Sequence, residues 1–305
     1  MREIPALLLI VSVISCAQGE SSTTLVRLEN FPSKYVQPRT VDIWLPSGYS
    51  ANAKYPVIYM HDGQMLFDST TTWNKLEWGV DEAMEKLIAA GTIPPTIVVA
   101  IHNIDSIRHN NYFPQKPFES LPKQTQESLY TIERSAGRGL FGGKVDSDNY
   151  LRFIVTELKP FIDSEYKTAG DRANTFIMGS SMGGLISMYA LCEYPDVFGG
   201  AACLSTHWPG VFTMDNNPIP NAFYQYLANK LPDPTTHKLY FDFGTTTLDA
   251  LYEPLQLKVD SIMRTKGFTE QNWITRKFEG HAHDERAWRS RLYVPLTFLL
   301  TNNQK

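Results

Sequence analysis

Short apolar runs and helix-like patterns alternate along most of this 305-residue chain. Several of the apolar runs show no alternation of apolar and polar positions, which is typical of strands covered on both faces. The predicted strands span residues 25–28, 41–45, 57–61, 97–101, 175–178, 200–204, 239–243 and 273–278. The predicted helices span residues 80–90, 150–166, 182–193, 251–266 and 285–300. This alternation predicts an α/β fold with a mostly parallel central sheet, helices on both faces and antiparallel opening strands.

Prolines and an irregular segment modify this pattern. Pro160 and Pro295 lie inside two predicted helices and should kink or shorten them, because proline lacks the N–H that a helix requires. Residues 103–143 show little periodicity and contain several prolines and glycines, as a functional loop or lid often does. No repeat, low-complexity tract or linker divides the chain, so we expect a single α/β domain over residues 20–305.

The first twenty residues have the pattern of an export signal. Arg2 precedes an apolar run over residues 4–14, which is too short to span a bilayer but suits a secretory signal. Residues 13–16 resemble a bacterial lipobox, in which Cys16 would carry a lipid, whereas residues 17–19 suit an ordinary signal peptidase. We therefore expect residues 1–19 to be a signal peptide, or a lipoprotein leader that ends at Ser15. The expected location is the periplasm, the outer membrane or the medium of a bacterium, with membrane contact only through Cys16.

Composition narrows the function without assigning it. Hydrophobic residues at 43% and charged residues at 20% exclude wholesale disorder. A net charge of −4 argues against nucleic acid as a partner, because phosphate binding requires a basic surface. Three cysteines cannot form a disulfide scaffold. Cys192 and Cys203 lie in apolar surroundings, so we expect two buried thiols, with a disulfide between them as the alternative.

The motif Gly-x-Ser-x-Gly occurs at residues 179–183, between a predicted strand and the predicted helix that starts at Met182. This context of strand, sharp turn and helix makes Ser181 a candidate nucleophile beyond the end of the sheet. The flanking glycines, Gly179 and Gly183, are expected because side chains there would collide with the neighbouring strand and helix. The N–H of Met182 lies at the positive end of the helix and is suited to stabilise an oxyanion. A plain glycine-rich turn is the alternative interpretation.

A carboxylate and a histidine follow two later strands. Asp249 lies in the loop beyond the predicted strand 239–243, where a catalytic acid can orient a histidine. Asp242, inside that strand, and Glu253, on the following helix, are the alternatives. His283 follows the last strand next to a helix start, and we favour it over His281 as the general base.

The same segment allows two other interpretations. His281 and His283 could form half of a metal site that His61 and Asp62 would complete. The sequence contains no further ligand cluster with zinc spacing, so we expect no metal. Trp288, on the following helix, is either a core residue or part of the pocket lining.

The chain order Ser181, Asp249, His283, each after a predicted strand, is that of the α/β-hydrolase fold and not of chymotrypsin or subtilisin. With the segments YPVIYMHDGQ (residues 55–64), EYPDVFG (193–199) and GHAHDERAW (280–288), it makes the chain resemble the esterase D-like α/β-hydrolases. The resemblance extends from residue 39 to about residue 300. That group includes feruloyl and acetyl-xylan esterases of carbohydrate esterase family one, siderophore esterases, S-formylglutathione hydrolases and mycolyltransferases.

The resemblance implies roles for individual residues. Ser181 would be the nucleophile and His283 the base, whereas the acid, here Asp249, varies in identity and spacing within the family. The loop after the third predicted strand would supply a second oxyanion N–H, from Gly63 or Gln64, and we favour Gln64. The implied reaction is acyl transfer in two steps through an acyl-enzyme, which requires neither a metal nor an organic cofactor.

Two loops at the carboxyl ends of predicted strands contain candidate substrate-binding residues. Arg108 and Tyr112 lie in the loop after residue 101, and Trp208 lies in the segment after residue 204. Ligands of such sheets bind outside these strand ends. Tyr112 and Trp208 are therefore predicted to stack on a sugar or phenolic ring, and Arg108 to contact a carboxylate or a sugar hydroxyl. Packing of these residues against one another is the alternative.

Export and the family resemblance together indicate a small-molecule or polysaccharide-linked ester as substrate. Acetyl or feruloyl esters of plant polysaccharide are the first interpretation, and siderophore trilactones are the second. An acyltransferase would contain the same triad residues and differ only in its acceptor. A catalytically inactive binding module is the alternative from another class, although such a module would be expected to lack a triad member.

Overall fold

The computed structural model describes residues 11–15 and 23–301. Its strands are β1 (Val11–Ser15), β2 (Thr24–Phe31), β3 (Arg39–Leu45), β4 (Val57–His61), β5 (Ile97–Ile101), β6 (Glu133–Ser135), β7 (Arg138–Gly139), β8 (Thr175–Ser180), β9 (Gly200–Leu204), β10 (Lys238–Gly244) and β11 (Trp273–Phe278). Its helices are α1 (Val80–Ala89), α2 (Arg108–Tyr112), α3 (Gln115–Ser120), α4 (Lys123–Leu129), α5 (Ser147–Phe153), α6 (Lys159–Glu165), α7 (Met182–Glu193), α8 (Ile219–Lys230), α9 (Glu253–Thr265), α10 (Glu285–Arg291) and α11 (Tyr293–Leu300).

Nine strands in the described part of the chain form one sheet, in the order β1-β2-β3-β5-β4-β8-β9-β10-β11. Strands β5, β4, β8, β9, β10 and β11 are parallel to one another, and β1, β2 and β3 pair antiparallel. The predicted α/β fold, with a mostly parallel sheet and antiparallel opening strands, is confirmed. The carboxyl ends of β8, β9, β10 and β11 lie next to one another at one sheet edge, so the four loops that follow them also become neighbours.

Both faces of the sheet are buried against apolar side chains. Along β5, Ile97, Val99 and Ile101 belong to one hydrophobic cluster, and Val98 and Ala100 belong to another. Coverage on both sides explains why these strands are continuous apolar runs in the sequence. Helix α7 is buried on all sides from Met182 to Cys192, which fixes the element that follows the Gly-x-Ser-x-Gly turn.

The two prolines interrupt their helices as expected. Pro160 lies in the first turn of α6, four residues after Thr156. Thr156 belongs to a π-helical turn (Ile154–Leu158) that joins α5 to α6. Pro295 lies four residues after Arg291, where α10 ends before α11 begins. A proline ring clashes with the carbonyl four residues earlier and cannot donate to it, which accounts for both interruptions.

The irregular segment at residues 103–143 is less irregular than the sequence suggested. It contains helices α2, α3 and α4 and the hairpin of β6 and β7. These helices have five to seven residues, which is too short for a 3.6-residue periodicity to show. Helix α8 was not expected either, because Pro218 and Pro220 at its start resemble a loop, although proline is well tolerated in a first helical turn.

The N-terminal strand lies at the edge of the sheet. In the described part of the chain, β1 is adjacent only to β2. Cys16, the predicted lipid-bearing residue, lies outside the described residues. Among residues 11–15 and 23–301, no helix combines the length and the apolar character needed to cross a bilayer. Cys192 and Cys203 are both buried free thiols, as expected.

Candidate active site

Ser181 occupies a tight turn between β8 and α7. Its backbone has φ 57° and ψ −121°, a combination that is costly for a residue with a side chain. Main-chain hydrogen bonds hold the turn: the Ser181 N–H donates to the Leu204 carbonyl at 2.9 Å, and the Ser181 carbonyl accepts from the His207 N–H at 3.2 Å. The strand, turn and helix predicted around Ser181 are therefore all present.

The glycines of the motif contribute unequally to this turn. A Cβ atom on Gly179 would lie 2.8 Å from the Gly183 carbonyl group, closer than real Cβ contacts allow. A Cβ atom on Gly183 would meet its nearest neighbours, Asp62 and His61, at an ordinary 3.5 Å. The expected steric requirement thus holds for Gly179 but not for Gly183.

The two predicted oxyanion N–H groups belong to adjacent elements. Met182 is the first residue of α7, so its N–H has no acceptor within the helix and lies at the positive end of the helix dipole. Gln64 lies in the short 3-10 turn (Gly63–Met65) that follows β4. Asp62, which precedes that turn, lies 3.5 Å from the position that a Cβ on Gly183 would occupy. The turn after β4 therefore packs against the start of α7.

Asp249 and His283 are hydrogen bonded to each other. The His283 Nδ1 lies 2.6 Å from Asp249 Oδ1, while Asp249 Oδ2 accepts from the Gly244 N–H and the Ser205 hydroxyl, each at 2.6 Å. Burial by itself would raise the pKa of the Asp249 carboxyl, but its bonds from His283, Ser205 and Gly244 hold that pKa below its ordinary value. Asp249 is thus an ionised acceptor for the His283 ring.

Contacts on several sides orient the His283 ring. Its backbone N–H donates to the Thr247 hydroxyl at 2.8 Å. The rings of Tyr252 and Trp288 meet it edge-on, with centroids 5.7 Å and 5.1 Å away. Because an ionised carboxylate only accepts, His283 Nδ1 carries the proton in that bond, and Nε2 is the basic nitrogen. Trp288 is therefore both buried and in contact with the candidate base.

The alternative acids and base have other partners. Asp242 lies inside β10 and pairs with the buried Arg291 at 3.0 Å. Glu253 is the first residue of α9 and pairs with Lys277 at the surface. The His281 ring packs against that of Phe278, with centroids 5.3 Å apart, and its Nδ1 has no hydrogen-bond partner among the described residues. Of these candidates, the structure pairs Asp249 with His283.

Of the four residues considered for a metal site, His61, Asp62 and His283 are hydrogen bonded to other side chains of the protein. His61 Nδ1 lies 2.8 Å from the Tyr150 hydroxyl, and burial lowers the pKa of His61 to about 3. Asp62 pairs with Arg108 at 2.7 Å. Among residues 23–301, no three His, Cys, Asp or Glu side chains are grouped so that they could hold a metal ion.

The predicted stacking of Tyr112 and Trp208 on a substrate ring is wrong. Both side chains are 0% exposed, so neither has a free face. Trp208 Nε1 donates to the Gln256 side chain at 2.9 Å, and the Tyr112 hydroxyl accepts from the Asp62 N–H at 3.2 Å. Phe212, later in the same segment as Trp208, is 54% exposed, and its ring centroid lies 6.2 Å from that of His207.

Arg108 contacts a carboxylate of the protein itself. Its Nε and one terminal nitrogen donate to the two oxygens of Asp62 at 2.8 Å and 2.7 Å, and Asn103 adds a third bond at 2.6 Å. Burial alone would raise the pKa of the Asp62 carboxyl, but the Arg108 charge and these bonds lower it. Asp62 has a left-handed backbone, φ 58°, so Arg108 fixes the turn that contains Gln64. Arg108 thus forms a structural ion pair, and its side chain is still 23% exposed, so its contact with a substrate stays a prediction.

Sequence reasoning missed three residues around the candidate triad. Ser205 and Arg291 lie behind Asp249, and His207 binds the Ser181 turn. Ser205 and His207 lie in the segment after β9 that was expected to face the site, but the sequence pattern assigned a role there only to Trp208. Arg291 carried no signal, because a sequence does not show which of the three arginines of α10 is buried.

Comparison with known proteins identifies relatives over most of the chain. The model of the family described as "Putative esterase" matches residues 33–135 and 137–299. The endo-1,4-beta-xylanase/feruloyl esterase of Xylanibacter ruminicola is 25% identical over 256 residues, which are 82% of this chain and 28% of that protein. The ferri-bacillibactin esterase BesA of Bacillus subtilis is 30% identical over 186 residues, which are 58% of this chain and 57% of BesA. The chain thus spans less than two thirds of either relative.

Solved structures show the same fold. A structure named ferulic acid esterase superposes with a TM-score of 0.62 at 21% identity, covering 91% of this chain and 97% of the other. At this identity the likeness concerns the fold alone.

The first prediction concerns the ion pair beneath the turn that contains Gln64. Replacing Arg108 by Met leaves Asp62 buried without its cation, which costs about 3 kcal/mol at pH 7 for a pair of this kind. In the wild type, the contribution of Asp62 is present above the unfolded carboxyl pKa of about 4 and is lost as pH falls. In Arg108→Met the buried, unpaired carboxyl takes up a proton at a higher pH than in the wild type, and this protonation removes the cost of its buried charge. Urea unfolding should therefore show a loss of stability that is larger at pH 7 than at pH 4.5.

The double variant Arg108→Met/Asp62→Asn is the control, because asparagine tolerates the left-handed backbone and carries no charge. It should recover part of the lost stability at pH 7. Equal losses at the two pH values would show that Arg108 acts through packing and not through its charge.

Proposed function

Because the chain belongs to this esterase family and is a carboxylic ester hydrolase, we propose that Ser181, Asp249 and His283 form its catalytic triad. The observation that carries the proposal is the 2.6 Å bond between His283 Nδ1 and Asp249 Oδ1. The three residues follow β8, β10 and β11, strands whose carboxyl ends lie at one sheet edge. The strained turn at Ser181 is the second support, since strain of this kind concentrates at reacting residues.

The reaction follows from these positions. His283 Nε2 takes the proton of the Ser181 hydroxyl while Oγ attacks the carbonyl carbon of the ester. The N–H groups of Met182 and Gln64 stabilise the oxyanion. The intermediate then expels the alcohol, which receives the proton from His283, and leaves an acyl group on Ser181. Water attacks that acyl group with the same base and releases the acid.

Removing any triad residue should abolish most of the activity. Ser181→Ala, His283→Ala and Asp249→Asn should each lower kcat for p-nitrophenyl acetate by at least about 10³-fold, the last because an amide no longer holds the histidine in the required tautomer. Glu253→Gln is the matched control: it makes the same change of carboxylate to amide at the surface of α9, and it should retain wild-type activity. Activity in Ser181→Ala would refute the triad, and a fully active Asp249→Asn would remove the acid from it.

We propose acetyl or feruloyl esters of polysaccharides as the substrates. The likeness to the Xylanibacter ruminicola protein, over most of this chain, supports this class. The exposed ring of Phe212 lies beside His207, whose N–H binds the Ser181 turn, and it offers an apolar surface to an aromatic acyl group. A siderophore trilactone is the second candidate, supported by the 30% identity with BesA.

A substrate panel tests this choice together with Phe212. Phe212→Ala should lower kcat/KM for methyl ferulate by about threefold to tenfold, as expected for the loss of one aromatic contact, and should hardly change it for p-nitrophenyl acetate. Leu257→Ala truncates another exposed apolar side chain, on α9, and should change neither value. Acetylated xylan and a catecholate trilactone complete the panel. A trilactone cleaved far better than the other esters would replace the polysaccharide proposal with the siderophore one.

We further propose that residues 1–19 direct export. The support is the charged, apolar and small-residue pattern of this segment. Strand β1 is adjacent only to β2 in the described sheet, so its removal leaves the pairings from β2 to β11 intact.

Export is tested by expression in a bacterial host with fractionation and mass analysis of the mature N-terminus. A lipoprotein should begin at a lipidated Cys16 and remain with the membrane, and Cys16→Ala should release it. An ordinary signal peptide should instead give a soluble periplasmic protein that begins after Gly19, unaffected by Cys16→Ala. A cytoplasmic protein with an intact N-terminus would contradict both routes.

A further inference from the structure

A buried network of hydrogen bonds reaches the oxygen of Asp249 that His283 does not use. The Ser205 hydroxyl lies 2.6 Å from Asp249 Oδ2. Two other groups contact the same hydroxyl oxygen: a terminal nitrogen of Arg291 at 2.7 Å and Nε1 of Trp288 at 3.0 Å. Both of these groups can only donate. The single proton of the Ser205 hydroxyl must therefore be directed at Asp249.

The network contains a buried charge, Arg291, whose desolvation costs free energy. Its side chain is 1% exposed, and the same terminal nitrogen that contacts Ser205 lies 3.0 Å from Asp242 and 3.9 Å from Asp249 Oδ2. A buried ion pair rarely stabilises a fold better than well-packed apolar residues would. The charge is instead placed where it can polarise the Ser205 hydroxyl and compensate two buried carboxylates.

The backbone of Ser205 adds a second cost. Its φ is 41°, a left-handed value that is unfavourable for a residue with a side chain. Its N–H donates to both the main-chain and side-chain oxygens of Asp242, at 2.9 Å and 3.0 Å, and these bonds maintain the strained turn. A glycine would adopt this backbone without strain but would provide no hydroxyl. A fully buried serine held in such a turn therefore points to the hydroxyl as the reason for its presence.

We propose that Ser205 is a positioning residue for the hydrolysis: its hydroxyl, oriented by Arg291 and Trp288, fixes Asp249 so that the other carboxylate oxygen meets His283. The inference rests on the proposed triad, because it assigns Ser205 a role only through Asp249. Trp288 links the two sides of this arrangement, since its indole N–H binds Ser205 and its ring packs edge-on against His283. The acid and the base are thereby oriented by a shared set of contacts.

Ser205→Ala and Ser205→Gly both remove the hydroxyl, and the glycine variant also relieves the backbone strain. Both should lower kcat for p-nitrophenyl acetate by about tenfold to 100-fold, as misplacement of a reacting group does, with less than about threefold change in KM. Loss of a donor to the carboxylate raises the proton affinity of the Asp249–His283 pair, so the acidic limb of kcat/KM should move to higher pH. The other charged or titratable groups that face the pair are Asp242, Arg291, His207 and Tyr252, and these stay in place.

Ser187→Ala is the matched control. Ser187 is equally buried, and its hydroxyl donates to the Gly183 carbonyl within α7 at 2.7 Å. This variant should keep the wild-type kcat and pH profile. Thermal unfolding of each variant separates a loss of fold from a loss of positioning, and Ser205→Gly decides the question if the alanine variant unfolds.

The outcomes distinguish the inference from the proposed triad. Wild-type kcat and an unmoved acidic limb in a folded Ser205 variant, with Ser181→Ala inactive, would overturn the positioning role and leave the triad intact. A lower kcat with an unmoved acidic limb would also overturn it, because the Asp249–His283 pair would then be unaffected. Activity in Ser181→Ala would instead refute the triad itself.

Discussion

The parallel pairing of β8, β9, β10 and β11 is the constraint on which the candidate site depends. In-register partners such as Ser180 and Leu204, or Gly244 and Phe278, stop at nearly the same height, so the loops that follow begin side by side. Residues 34 and 44 positions apart in the sequence, Asp249 with His283 and Ser205 with Asp249, are thereby brought within hydrogen-bonding distance. Short loop segments are enough to form the bond between Asp249 and His283, because each residue follows closely after its strand. A shift of one residue in any of these pairings would reverse the direction of side chains along that strand and separate the groups.

Two ion pairs in the described part of the chain lie at the same sheet edge. Asp62 with Arg108 lies under the turn after β4, and Asp242 with Arg291 lies between β10 and α10. Each pair is desolvated at a cost that its mutual attraction only partly offsets. Both pairs adjoin a backbone with positive φ, at Asp62 and at Ser205. These two ion pairs thus lie where the chain holds a strained turn, and they provide directional bonds that apolar packing lacks.

The fold and the pairing of Asp249 with His283 could be predicted from the sequence, but the side chains exposed around the site could not. Continuous apolar runs and their order predict a parallel sheet, and the strand ends then identify the loops that meet. Which aromatic residue faces solvent depends instead on local packing. Trp208 and Phe212 are four residues apart in one loop, yet Trp208 is buried and bonded to Gln256, whereas Phe212 is exposed. A pattern of residue types cannot distinguish them, because both are large and apolar and the loop has no period. The short helices between residues 103 and 143 were missed for the same reason.

The turn after β9 joins the candidate nucleophile to the candidate acid. On one side, the Leu204 carbonyl and the His207 N–H bind the main chain of Ser181. On the other side, Ser205, which lies between those two residues, contacts Asp249 through its hydroxyl. Ser181 and Ser205 both have positive φ, so two strained turns on neighbouring strands stabilise each other through the same four-residue segment. The burial of α7 and the Arg291 ion pair restrain the segment from opposite sides, which explains why so much buried polarity surrounds one short turn.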